Sequence, residues 1–214
     1  MLTEQQINDN KTEFMQAVAS INIEGADLAG LMNWLNNSDF FTAPASTQYH
    51  GACKGGLCWH TLNVYHNILK LHEIYKDILP AIDPQSLIIV SLFHDVSKID
   101  YYEPYIMNKK VYNPNGSKHD NMGNFDWVAQ EAYKVKDAKD RFLAVNHGVN
   151  SALLIGRFIP LSLDENVAIM NHMLNTDDKA NNYDQSAILN KYPLLALLHM
   201  ADFASTFINE AERE

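Results

Sequence analysis

His94 and Asp95 close the apolar run Ser86-Leu87-Ile88-Ile89-Val90-Ser91-Leu92-Phe93, so the chain carries an imidazole and a carboxylate into what reads as a buried helix. A carboxylate taken out of water is costly unless a cation or a hydrogen-bond network meets it, and a divalent metal is the most direct such cation. Two more residues in apolar helical surroundings are placed to complete a site. They are His60, in the segment 57–79, and Asp202, within Leu197-Leu198-His199-Met200-Ala201-Asp202. Two imidazoles and two carboxylates form a mixed nitrogen and oxygen set suited to manganese, iron, cobalt, nickel or zinc, with magnesium also admissible. Such a set leaves positions for water and substrate oxygens, which is a catalytic rather than a closed structural arrangement.

Lys98 follows Asp95 by three residues. On a continuous helix it shares that face and can turn its ammonium towards an anion held at the site. Other readings of the same residue types compete. A single buried histidine is more often a hydrogen-bonded core residue than a ligand. His50, Cys53, Cys58 and His60 also read as a zinc knuckle, H-x2-C-x4-C-x-H, although the short Cys58-Trp59-His60 spacing at a helix start makes tetrahedral closure awkward. His66, His72 and His119 read as surface residues. His199, one turn before Asp202, reads as an outer partner of the ligands, and Tyr101, Tyr102 and Tyr105 either stack on a base or pack.

The elements that must position these side chains are mostly helical. Apolar spacing predicts helices over 3–20, 24–36, 57–79 and from Asp83-Pro84 onward, with Pro80 closing the third. The Pro, Ser, Thr and Gly content of 39–56 predicts a loop that delivers the chain to the third helix. Beyond Lys98 the pattern breaks, and Asn113-Pro114-Asn115-Gly116 predicts a turn within a small hairpin or irregular excursion ending near Trp127. Helical spacing resumes over 151–158, 163–174 and 192–209, interrupted by the polar segment 175–185. The expectation is an all-α fold, mainly α apart from that excursion. It forms one globular domain, with N-terminal helices at 1–38 packing on a core domain at 39–214.

The 214 residues suffice for a sizeable core. Sixteen Lys and Arg against 26 Asp and Glu give a formal charge of −10, which opposes a broad grip on duplex nucleic acid. A small anionic substrate remains compatible, because a metal and a lysine invert the field locally. The first residues lack a secretory pattern, and no apolar run approaches the ~20 residues that span a bilayer, so no membrane association is expected. Two cysteines make no disulfide framework, and the cytoplasm is the expected compartment. The oligomeric state stays open.

The ordered set His60, His94-Asp95 and Asp202 resembles the H…HD…D pattern of the HD-domain superfamily of metal-dependent phosphohydrolases. Three segments look like those of small bacterial and phage-encoded HD hydrolases. They are Phe41-Thr42-Ala43-Pro44-Ala45-Ser46-Thr47, then Gly55-Gly56-Leu57-Cys58-Trp59-His60-Thr61-Leu62-Asn63-Val64-Tyr65, and then Asn146-His147-Gly148 through Asn171-His172-Met173. The likeness covers roughly 39–208. Cys58-Trp59 stands where such proteins often carry an acidic residue, and Ser97 replaces a glycine, but neither change removes a ligand.

The resemblance implies an HD-type helical bundle. It also implies that His147 and His172 face the site, either holding a second ion bridged by Asp95 or binding substrate phosphate beside a single ion. Lys98 then acts on the substrate phosphate, and metal-activated water attacks phosphorus. The expected substrate is a nucleotide, with nucleoside phosphates or deoxynucleotides preferred. The alternatives are a phosphodiesterase acting on cyclic or short oligonucleotides, a non-catalytic metal- or nucleotide-binding module, and a di-iron oxygenase on the same scaffold.

Overall fold

A computed structural model describes residues 1–141, 146–174 and 182–211. The first helix, α1 (Glu4–Ala19), is opened by a capping box between Thr3 and Gln6, and it buries Ile7, Phe14, Ala17 and Val18 on one face. The second, α2 (Leu28–Asn36), starts later than the apolar spacing suggests. Gly25 sits at φ +82 and Asp27 is the N-cap, its carboxylate accepting the Gly30 N–H, so the chain is still turning where helix was expected.

The loop that follows delivers α3 (Gly56–Tyr75), whose N-cap Gly55 takes φ +78. Gly56 lies so close to the Gly51 carbonyl that a Cβ would fall 1.9 Å from its oxygen, which is why two glycines stand here. The helix ends at Tyr75, and a further turn in which the Ile78 and Leu79 N–H groups donate to the Tyr75 carbonyl leads to Pro80. The fourth, α4 (Pro84–Phe93), begins with Pro84 in its first turn and the Asp83 carboxylate accepting the Gln85 N–H.

The all-α expectation is corrected by a three-stranded antiparallel sheet of β1 (Tyr102–Tyr112), β2 (Lys118–Asp120) and β3 (Gly123–Val135), in the order β1-β3-β2. The chain is mainly helical with a real sheet component. The register places Tyr102 opposite Val135 and Tyr112 opposite Phe125, so pairing continues past Trp127 through Val128, Tyr133 and Val135. The excursion looked short because its β-branched and aromatic residues are diluted by Lys, Asn and Gln on faces that stay wet. Among the described residues neither long strand packs broadly on a helix, and Phe125 is the only strand residue that is buried. The sheet is therefore an arm, held by cross-strand pairs such as Lys134–Glu103 at 2.8 Å and by Lys110, whose Nζ lies 4.2 Å from the Phe125 ring centroid.

The chain then forms α5 (His147–Ile155), α6 (Leu163–Asn171), α7 (Asn182–Lys191) and α8 (Pro193–Ala204). A π-turn, Ser205–Asn209, extends α8. Of the polar segment expected over 175–185, residues 175–181 lie outside the described residues, and from Asn182 the backbone is helical. Its Ile188 and Leu189 pack against the core, a short apolar contribution that the polar context masks.

Two apolar clusters share α3 and α4. One contains Phe14, Leu31, Phe40, Leu57, Leu92 and Ile155, and the other contains Val64, Ile68, Leu87, Ile169, Leu195 and Leu198. Both helices are thereby fixed along their length, which holds the polar residues between the clusters in place. Among the described residues no helix is long and apolar enough to cross a membrane.

Candidate metal centre

Five elements carry ligand-type side chains to one point. His60 comes from α3, Asp202 from α8, His147 from the first residue of α5, and His94 and His172 cap the C-termini of α4 and α6. His94 and His172 are built alike. Each Nδ1 lies within hydrogen-bond reach of a carbonyl three residues back, Ser91 O at 2.9 Å and Ile169 O at 2.8 Å, so donation there leaves Nε2 with a free lone pair. Asp95 is not helical. Its backbone sits at φ −111 and ψ 10, after which Val96–Lys98 form a single 3-10 turn, so the continuous helix expected through Lys98 is broken at the carboxylate.

The two oxygens of Asp95 divide the site. Oδ2 lies 3.7 Å from His60 Nε2, 3.6 Å from His94 Nε2 and 2.7 Å from Lys98 Nζ. Oδ1 lies 3.6 Å from His147 Nε2 and 3.7 Å from His172 Nε2, and those two nitrogens are 3.2 Å apart. Asp202 Oδ1 lies 3.2 Å from His60 Nε2. Within this cluster the ligand atoms of His60, His94 and Asp202 fall within 4.8 Å of one another, and so do those of His94, Asp95 and His172.

The donors fit a cation. His94 Nε2, His60 Nε2 and Asp95 Oδ1 are all buried, and among the described residues none closes a well-formed hydrogen bond, although all three lie within the cluster. Buried polar atoms are almost always satisfied, so three orphans on the two sides of one carboxylate are what a cationic partner would complete. All six ligand-type residues expected from the sequence, His60, His94, Asp95, His147, His172 and Asp202, are brought together, and Lys98 joins them.

Electrostatics prepares the donors unequally. Burial holds the His94 imidazole down at about 3 and is the main cause of His147 lying at about 4, so both are neutral near pH 7. Burial also opposes a charged His60, but the nearby carboxylates of Asp202 and Glu210 outweigh it and lift that imidazole to about 10. Asp95 and Asp202 pay the same burial cost. Lys98 and the neighbouring histidines nevertheless hold Asp95 well below the usual carboxylate range, and His60 does the same for Asp202. The Asp95 carboxylate in turn overcomes burial at Lys98 and raises its ammonium to about 12.

Two neighbours of His60 were not assigned to this centre from the sequence. Glu210, buried beyond the end of α8, faces His60 Nδ1 with both oxygens, at 3.0 and 3.2 Å. His50 brings its ring centroid to 4.8 Å from that of His60. The zinc-knuckle arrangement does not form: Cys53 and Cys58 are free, Cys58 packs in the first apolar cluster, and burial pushes its thiol up. His199 is an outer partner, but of His172, whose carbonyl lies 2.7 Å from its Nδ1. Tyr101 packs edge-on against Tyr102, and the Tyr102 hydroxyl donates to Ala45 O at 3.2 Å, while Tyr105 stays exposed on the arm. A surface cavity of about 320 Å³ between Trp34, Asp39, Ile99 and Asp100 contains none of the converging ligands.

No protein-family model, curated protein or solved structure matches the chain.

Proposed function

We propose that this chain is a divalent-metal-dependent phosphohydrolase of the HD type, acting on a phosphoester or phosphoanhydride of a nucleotide. The observation that carries the reading is the convergence of His60, His94, Asp95, His147, His172 and Asp202 around buried atoms that lack hydrogen-bond partners. His60, His94 and Asp202 with Asp95 Oδ2 would hold one ion, and Asp95 Oδ1 with His147 and His172 is arranged for a second ion or for substrate phosphate. A bound divalent ion supplies Lewis acidity towards phosphoryl oxygen and lowers the pKa of water.

The chain's own residues do the rest. Neutral His94 present lone pairs without first losing a proton, and neutral His147 is equally ready for an ion or a phosphate. Lys98 neutralises Asp95, and the same ammonium can follow negative charge onto a phosphate once a cation takes over the carboxylate. His147, with its side chain 31% exposed, leaves a side from which a substrate would reach the centre. The acidic surface favours a small phosphate ester over a long polyanion, and the cytoplasm is the compartment in which such a substrate would be met.

The test is phosphate release from nucleoside mono-, di- and triphosphates, cyclic nucleotides and short oligonucleotides with Mn²⁺, Co²⁺, Ni²⁺, Mg²⁺ or chelator. Metal-dependent turnover of one class, absent in Asp95→Ala, is the expected result. A metal-loaded sample silent on every substrate would overturn the reading in favour of a binding module or redox chemistry.

A further inference from the structure

The ligand pattern ends at Asp202, yet the chain beyond it returns to the centre. Helix α3 presents His60, Asn63 and Asn67, at i, i+3 and i+7, to the turn after α8. Asn67 Nδ2 donates to Ser205 Oγ at 2.9 Å and to Asn209 Oδ1 at 2.8 Å. Asn63 Nδ2 donates to Glu210 Oε1 at 2.9 Å. Ser205–Asn209 is wound as a π-turn, and the Glu210 N–H donates to Ser205 O at 3.0 Å, five residues back. The wider i→i+5 turn slows rotation about the axis and keeps Glu210 on the side that carries Asp202. The Glu210 side chain is wholly buried, a costly place for a carboxylate, and its partners there are Asn63 and the Nδ1 of His60.

A carboxylate on the far nitrogen of a ligating imidazole fixes the ring's orientation and leaves the near nitrogen to face the ion. We propose that Glu210 is a positioning residue for the ion at His60, His94 and Asp202, and that the π-turn Ser205–Asn209, pinned by Asn67, is the splint that keeps it there. The affinity of the centre for metal is then set partly by a C-terminal turn that supplies no ligand. This rests on the metal-centre reading above.

The experiment is calorimetric titration of Mn²⁺ and Co²⁺ into metal-stripped full-length protein, comparing wild type with Glu210→Gln and Asn67→Ala, alongside the visible spectrum of bound Co²⁺. Glu210→Gln is expected to weaken binding roughly 10- to 100-fold and to shift the Co²⁺ bands. Asn67→Ala, which touches no ligand, is expected to weaken binding by a smaller factor. Glu210→Gln protein that melts earlier but binds metal as tightly as wild type would show a merely structural carboxylate and overturn the proposal. If Glu210→Gln does not fold, Asn67→Ala decides, and unchanged affinity there overturns the proposal equally. Wild-type protein that binds neither ion would instead sink the metal-centre reading itself.

Discussion

Lys98 Nζ lies 2.7 Å from Asp95 Oδ2 across a single 3-10 turn. In a 3-10 turn residues i and i+3 eclipse, so the ammonium falls directly over the carboxylate, where an α-helix would set the two side by side. The chain thereby carries an internal counter-ion at the position where a metal would bind. A cation arriving at Asp95 competes with Lys98 for the same oxygen and frees the ammonium for another anion.

Lys98→Ala is therefore expected to leave metal binding intact or tighten it, while lowering turnover about 100-fold, the size of effect seen when one charge-stabilising donor is removed. Metal affinity and phosphate release measured on the same protein check this. An unchanged rate would remove Lys98 from the chemistry, and lost metal affinity would make it part of the binding site.

Asp95→Ala removes the carboxylate whose two oxygens face the two halves of the centre, so metal uptake should fall below detection. It also strands a largely buried ammonium, which costs about 3 kcal/mol when a buried pair is broken from one side. The double variant Asp95→Ala/Lys98→Ala should recover part of that stability without recovering metal. Denaturant midpoints and metal content together decide, and a single variant as stable as wild type would mean that Lys98 is not held by the pair.

Four of the six ligand-type residues were legible because each lies inside or at the end of an apolar run, where a polar residue stands out, whereas His147 and His172 were expected from the resemblance alone. His94 and Asp95 after Phe93, His60 beside Leu57 and Leu62, and Asp202 after Leu198 all share that context. Glu210 lacks it. It sits in the polar stretch Asn209-Glu210-Ala211-Glu212-Arg213-Glu214, where a carboxylate reads as solvated, and nothing in that stretch signals the π-turn after which Glu210 is buried. The sheet was under-read for a related reason. Strand signals come from one buried face, and an arm with both faces wet has no face to alternate against. The break at Asp95 left no mark either, since Val96-Ser97-Lys98 is compatible with α and 3-10 turns alike.

The metal-free protein should be most stable near pH 6.5. Unfolded imidazoles titrate near that value. Below it the unfolded chain takes up protons that His94, held at about 3, and His147, held at about 4, refuse in the folded state, so stability falls with pH. Above it the raised His60 acts in the opposite sense. Its stabilisation is complete below pH 6.5 and is lost as pH rises towards about 10. The depressed Asp95 and Asp202 add a further loss only below about pH 4, where unfolded carboxyl groups titrate. Urea midpoints between pH 4.5 and 9 in the presence of chelator test this, with His147→Gln expected to flatten the acid limb. A midpoint that climbs steadily across the range would contradict the assigned charge states.

The arm should be dispensable for folding and for metal. Glu103 and Lys134 face each other in register and pair at 2.8 Å, so replacing residues 104–133 with Asn-Gly joins them through a two-residue hairpin turn. The excised segment removes Lys109, Lys110 and Lys118 together with Asp120, Asp126 and Glu131, so net charge is unchanged and no effect can be attributed to it. Phe125 is the only buried residue lost, and its neighbours Tyr112 and Trp127 leave with it. Tyr102, whose hydroxyl ties the arm's base to Ala45, is kept. The shortened protein is expected to melt within a few degrees of wild type and to take up the same amount of Mn²⁺. Loss of the cooperative transition would mean that the arm packs against the helical body, and normal melting with lost metal would place a determinant of the centre in the strands.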